Sequence, residues 1–176
     1  MSPRRQTVDP SQGVLHVEWP LFGELSRALA LKVSREYDPD MVIGIATAGV
    51  IPGAVVAAML GKEFHSIVIS RRYRAEGTRE TPAVFSAAPS EVRGKKVLIV
   101  DETCDSGETL RLAIGAIVNA GAKEFRTAVG FKTGAYSPDF HALATESTIV
   151  LPWDRELIVE GELTLNPLYS DAIEEI

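Results

Sequence analysis

The sequence predicts an α/β fold, a parallel sheet flanked by helices, and three observations carry that prediction. Short unbroken apolar runs recur at Met41–Ala46, Ser66–Ile69 and Val97–Val100, as strands buried on both faces require. Segments with helical apolar spacing alternate with them, and Gly61 and Gly121 close two of those segments, as glycine does beyond a helix C-terminus. The chain has 176 residues, 45% hydrophobic and 24% charged, enough for one globular domain with a full core.

Residues 1–13 read as a flexible tail, because Met1–Pro10 lacks the apolar run of a signal peptide. A first helix is expected over Trp19–Tyr37, where Leu21, Phe22, Leu25, Leu29 and Val33 share one face. The strand Met41–Ala46 follows, then the turn Thr47-Ala48-Gly49 and an Ala- and Val-rich helix from Val50 to Leu60. After the strand Ser66–Ile69 the chain turns polar. From Ser70 to about Thr81 it carries Arg71, Arg72 and Arg74 with no apolar pattern, which reads as a long mobile loop of the kind that closes over a site. The strand Val97–Val100 leads to a helix over Leu110–Ala120, and further strands are expected at Thr127–Phe131 and Thr148–Leu151. A doubly wound parallel sheet results, with ligands expected beyond the strand C-termini.

The most informative stretch is Val97-Leu98-Ile99-Val100-Asp101-Glu102-Thr103-Cys104-Asp105-Ser106-Gly107-Glu108-Thr109. It reads as a buried strand delivering a tight turn to a helix N-terminus, where free N–H groups and the macrodipole favour an anion. Ser106 and Thr109 add hydroxyls, and Gly107 lets the backbone approach a phosphate. Asp101 and Glu102, just short of that cradle, are suited to accept hydrogen bonds from a vicinal diol. Asp105 must turn its carboxylate away from the anion, and Glu108 is expected to face solvent. Phosphate donors beside diol acceptors fit a ribose 5-phosphate. Thr47-Ala48-Gly49 is a second strand-to-helix turn able to hold an anion, on the same sheet edge if both strands are parallel.

Other classes are excluded on composition. A net charge of −6 argues against a nucleic-acid partner. No apolar run approaches the roughly 18 residues of a membrane span. A single cysteine suits the cytoplasm, and Cys104 has no nearby histidine to activate it. His16, His65 and His141 lack metal-ligand spacing, so no protein-held metal is expected.

The strand, acid pair and Asp105-Ser106-Gly107-Glu108-Thr109 loop resemble the type I phosphoribosyltransferases. The likeness extends to the purine branch, which includes the bacterial xanthine–guanine and hypoxanthine enzymes, through Val17-Glu18-Trp19, Val50-Ile51-Pro52-Gly53-Ala54, Lys132 and Pro152-Trp153-Asp154. The resemblance implies one phosphoribosyltransferase domain over residues 14–176, with a small hood from about 133–176 plus N-terminal residues. It implies transfer of ribose 5-phosphate from phosphoribosyl pyrophosphate to a purine base in salvage, with Mg²⁺ bound alongside the donor, in a cytoplasmic homodimer. Asp101, Glu102 and residues 105–109 would bind the ribose and 5-phosphate, and Asp105 would take the purine N7 proton. Thr47, Ala48, Gly49, Arg71 and Arg72 would hold pyrophosphate. Lys132, Ile149 and Trp153 would meet the base, Lys132 favouring hypoxanthine, guanine or xanthine.

Two positions depart from that pattern. Ala48 stands where a cation commonly precedes the glycine, and Thr148 and Ile149 replace a base-stacking aromatic. A regulator that senses nucleotide or phosphoribosyl pyrophosphate without turnover therefore stays open, as does a pyrimidine or other acceptor. Plain readings also stand beside the sharp ones: Asp105 as a helix cap, Lys132 as a surface lysine, Trp153 as a packing residue and the arginines as a solvated loop.

Overall fold

The computed structural model describes residues 13–73 and 77–170, with side chains 70–80 outside the described set. Most of the tail, the side chains of Arg71 and Arg72, and residues 171–176 thus lie outside the described residues. The chain divides into two compact units, one from residues up to Glu24 together with those from Glu146 onward, the other Leu25–Thr145. The division passes through the helix α1 (Trp19–Glu36).

The larger unit is built on a sheet of six strands: β2 (Met41–Ala46), β3 (Glu63–Tyr73), β4 (Gly77–Val84), β5 (Lys96–Cys104), β6 (Glu124–Lys132) and β7 (Phe140–Ala144). Their order is β4-β3-β2-β5-β6-β7. All neighbours are parallel except β3 and β4. The α/β class and its parallel core are as the apolar runs predicted. Strand alternation separates two core layers. Ile43, Ile45, Ile99 and Val129 face Leu110, Ala113 and Ile117 of α3 (Glu108–Asn119). Val42, Leu98, Val100 and Ala128 face Leu29 and Val33 of α1 and Val56 of α2 (Val50–Leu60).

That order fixes the site. The chain leaves β2 toward β3 on one side and returns to β5 on the other, so the sheet reverses its winding between β2 and β5. A crevice opens at such a point beyond the strand C-termini. Close packing then seats α2 on it. A Cβ on Gly53 would lie 3.1 Å from the Gly44 Cα, and one on Gly44 would lie 2.9 Å from the Phe64 ring. Only glycines let this helix approach its strand so closely.

Two expectations are corrected. The polar stretch expected to be a loop is strand on both sides: β3 runs on to Tyr73 and β4 starts at Gly77, paired antiparallel. An edge hairpin is held by its backbone ladder and needs no apolar face, so it left no periodic signal. Thr148–Val150 is a strand (β8) outside the main sheet; it pairs in parallel with β1 (Val14–His16). This pair belongs to the smaller unit, with the antiparallel hairpin β9 (Glu156–Val159) and β10 (Glu162–Leu165). Trp19, Phe22 and Trp153 form an aromatic cluster there, Phe22 and Trp153 meeting edge to face with centroids 5.0 Å apart. No helix among the described residues is long and apolar enough to cross a membrane.

Candidate active site

Strand β5 does not stop at the acids. It continues through Asp101 and Glu102 to Cys104, and Asp101 is only 6% exposed. Its Oδ1 accepts the Glu102 N–H at 2.9 Å. Burial, reinforced by the neighbouring Glu102 carboxylate, pushes the Asp101 carboxyl well above the ordinary aspartate range. Of the acid pair, Asp101 is buried and Glu102 half-buried, so Glu102 is the more open.

The loop 105–107 follows. Asp105 and Ser106 are exposed, whereas Gly107 is buried with φ +76° and caps α3. As α3 starts at Glu108, Glu108 and Thr109 form its first turn, both half-buried. Gly107 brings no capping side chain, and the Glu108 N–H donates to the Ser106 Oγ at a long 3.5 Å. A helix start so weakly capped keeps its dipole available to an anion. Cys104 is buried and its thiol is pushed up in pKa, first by burial, which makes it a packing residue.

The second turn lies alongside. Strands β2 and β5 are parallel, with Gly44 opposite Val100, so Thr47-Ala48-Gly49 leaves the same sheet edge. Thr47 is exposed, Ala48 half-buried and Gly49 buried, and the Ala46–Thr47 peptide is cis. Gly49 touches Asp101: a Cβ there would lie 2.6 Å from the Asp101 Oδ1 and 2.6 Å from the Ile45 carbonyl oxygen. Both anion-capable turns therefore meet at the acid pair.

Lys132 ends β6 opposite Cys104, and its Nζ donates to the Gly134 carbonyl at 2.8 Å. The next residues fold over the loop. Thr133 N–H donates to the Cys104 carbonyl at 2.9 Å, and Tyr136 N–H to the Asp105 carbonyl at 3.3 Å. The Asp105 carboxylate lies against Gly134, on the side of the loop that carries Lys132. Ile149 and Trp153 belong to the smaller unit, where both are half-buried. The Trp153 Nε1 is buried without a hydrogen-bond partner among the described residues. Among the described residues no cluster of three or more His, Cys, Asp or Glu is arranged for a metal.

Sequence reasoning missed Gly134, Tyr136 and Arg111. Gly134 and Tyr136 touch the loop only because β6 lies beside β5, an adjacency that no local pattern encodes, whereas Arg111 reaches back to Ser106 from the first turns of α3.

Residues 17–162 match the phosphoribosyl transferase domain family. The xanthine-guanine phosphoribosyltransferase of Cereibacter sphaeroides is 28% identical over 157 residues, 84% of this chain and 91% of that protein. The transcriptional regulator GfcR of Archaeoglobus fulgidus is 32% identical over 111 residues, 58% of this chain and 56% of that protein's length. Among solved structures, the purine phosphoribosyltransferase from Pyrococcus horikoshii Ot3 has a TM-score of 0.71 and 31% identity, covering 84% of this chain and 98% of that one.

Proposed function

The chain belongs to the phosphoribosyl transferase domain family, in its type I purine branch, and from that membership we propose that it carries ribose 5-phosphate from phosphoribosyl pyrophosphate to a 6-oxopurine in salvage. Hypoxanthine, guanine and xanthine are the acceptors the reading names. A bond forms between purine N9 and ribose C1′ as the bond from C1′ to pyrophosphate breaks. The single observation that supports the reading most is the meeting of two anion-capable turns at an acid pair, produced by the winding reversal between β2 and β5.

The parts divide as the chemistry needs. The α3 N-terminus and residues 105–109 take the 5-phosphate. Glu102 and Asp101 take the ribose hydroxyls, and the Thr47–Gly49 turn takes pyrophosphate, together with Arg71 and Arg72. Held so, the reacting atoms are aligned and the charge developing on the ribose is stabilised in place. Asp105, exposed and turned toward the Lys132 side, takes the N7 proton as N9 attacks. Lys132 has three donors, so it can keep the Gly134 carbonyl and still meet O6. Ile149 or Trp153 covers the base.

Mg²⁺ bound with the donor would neutralise charge on the leaving pyrophosphate. Of the acid pair, the half-buried Glu102 offers the hard carboxylate oxygen that suits it, and the two acids form no cage of their own. We also read residues 14–176 as a single domain with the smaller unit as its hood, acting as a cytoplasmic homodimer.

A panel of bases assayed for pyrophosphate release with Mg²⁺ and phosphoribosyl pyrophosphate tests the proposal. One 6-oxopurine should be consumed. Asp105→Asn should cost roughly 10²–10⁴-fold in kcat while donor binding persists. If no base reacts, pyrimidines included, the enzymatic reading fails. The likeness to a transcriptional regulator favours one second reading, a donor or nucleotide sensor. Tight donor binding without turnover, with ligand-dependent capture of a partner, would establish it.

A further inference from the structure

We propose that residues 133–136, Thr-Gly-Ala-Tyr, form a strap that positions the site: Tyr136 holds the phosphate loop in its binding shape and Gly134 sets the Asp105 carboxylate. The proposal rests on the functional reading above and adds residues that the family signature in the sequence does not contain.

The strap begins where β5 and β6 leave the sheet together, with Cys104 opposite Lys132. Two bonds from Thr133 to the Cys104 carbonyl fix its start, at 2.9 Å from the backbone N–H and 3.3 Å from Oγ1. Its far end is tied by the Tyr136 N–H to the Asp105 carbonyl. Between these ties it lies so close to the loop that a Cβ on Gly134 would overlap the Asp105 Oδ1 and come within 2.7 Å of the Asp105 carbonyl oxygen. The Tyr136 ring covers Gly107 in the same way, and a Cβ on Gly107 would overlap it. From α3, Arg111 completes the arrangement. Its guanidinium stands 4.8 Å from the Tyr136 ring centroid, and Nη1 donates to the Ser106 carbonyl at 3.0 Å.

The physical need for such a device is plain. Gly107 is the most freely moving residue type, here in the left-handed region with no side-chain cap to hold it. Left alone, residues 105–107 would sample many conformations, and a phosphate would have to order them on binding. A ring on Gly107 and a guanidinium on Ser106 restrict that ensemble before the ligand arrives, which raises affinity by preorganisation. The duty of Gly134 is different. It leaves room for the Asp105 carboxylate beside the strap, so its effect falls on proton transfer. Both are positioning residues.

The two duties predict opposite kinetic signatures in the full-length protein. Tyr136→Ala should weaken binding of ribose 5-phosphate and of phosphoribosyl pyrophosphate with Mg²⁺ by about tenfold, as ordering about one backbone residue implies. Its kcat at saturation should stay within about threefold of wild type. Tyr136→Phe should restore binding to within about twofold, since the ring does the positioning. Gly134→Ala, whose Cβ meets the Asp105 carboxylate first and the Asp105 backbone next, should lower kcat by about tenfold or more with a smaller loss of donor affinity than in Tyr136→Ala. Calorimetric titration with each ligand, steady-state kinetics and a thermal melt of every variant read these out.

Tyr136→Ala binding ribose 5-phosphate as well as wild type would overturn the strap alone. So would loss of affinity, turnover and melting temperature together in both variants, the mark of general unfolding. A wild-type protein that binds neither ligand would instead sink the functional reading, and the strap with it.

Discussion

Replacing Gly49 by alanine isolates the contact that joins the two turns. Gly49 has φ −64° and ψ −13°, an ordinary helical conformation open to any residue, so alanine pays nothing in backbone strain. The cost comes from neighbours. The new methyl would lie 2.6 Å from the Asp101 Oδ1, 2.6 Å from the Ile45 carbonyl oxygen and 2.9 Å from the Asp101 Cα. Two of these atoms are backbone, and the third is a buried carboxylate already bonded to the Glu102 N–H. None gives way easily, so the start of α2 must move outward. Overpacking of this kind costs about 1–3 kcal/mol, against about 0.4–1 kcal/mol returned by the less flexible unfolded chain. The mid-range net loss of about 1.3 kcal/mol lowers Tm by roughly 3–5 °C in a chain of this size.

Gly115 is the matched control. It lies exposed within α3, and a Cβ there meets nothing within 4 Å. The same change at that site should stabilise by about 0.5–1 kcal/mol through helix propensity. Gly49→Ala should also raise KM for phosphoribosyl pyrophosphate about tenfold or more, because the pyrophosphate turn moves relative to the acid pair. Urea denaturation of both variants beside donor kinetics tests the pair. Equal stabilities for the two variants, or an unchanged donor KM in Gly49→Ala, would refute the reasoning.

Lys132→Met should lower kcat/KM for a 6-oxopurine by roughly ten- to a hundredfold, the worth of a hydrogen bond to a charged group. Any activity on adenine should not fall, and competing-base kinetics give the ratio. Asp101, raised in pKa by burial, keeps its proton in the folded protein above 3.8, where the unfolded chain has lost it. Stability of the ligand-free protein should therefore fall as pH rises from about 4 toward the folded value. Asp101→Asn should flatten that slope and exceed wild type at neutral pH in urea melts; a stability difference constant with pH would count against it. Chelation with EDTA should abolish turnover, and excess Mg²⁺ should restore it in the same pyrophosphate-release assay.

What was legible in the sequence was what is contiguous in it. The strand, acids and loop from Val97 to Thr109 are consecutive, so a buried strand, a tight turn and a helix start could be read there without knowing the fold. The helix Val50–Leu60 was legible to the residue, because its first residue follows the turn and Gly61 closes it in the left-handed conformation. Sheet membership was not. Thr148–Val150 has the same apolar pattern as the core strands, yet its partner is a three-residue strand near the N-terminus. Apolar patterning states that a segment is buried, not against what. Gly134 and Tyr136 were invisible for the same reason: their meaning depends on a register between β5 and β6.

The two unusual features of the site explain each other on the proposed reading. Ala48 brings no charge to the pyrophosphate turn, and the first N–H groups of α2 are taken: Val50 donates to the Thr47 carbonyl at 3.3 Å, Ile51 to the Ala48 carbonyl at 3.1 Å, and Pro52 has none. Its hold on an anion then rests on Arg71 and Arg72 and on the dipole at the start of α2. That helix starts beside Gly49, which lies against the Asp101 carboxyl. An ionised Asp101 would oppose the dipole at the very point where the anion must sit. Burial disfavours that ion, so the dipole meets less opposition than an exposed aspartate would give. A lysine at position 48 would work against that shift, since the opposite charge would draw Asp101 back toward its ionised form. Ala48→Lys should then improve pyrophosphate affinity less than an added cation ordinarily does, because part of its field is spent on deprotonating Asp101.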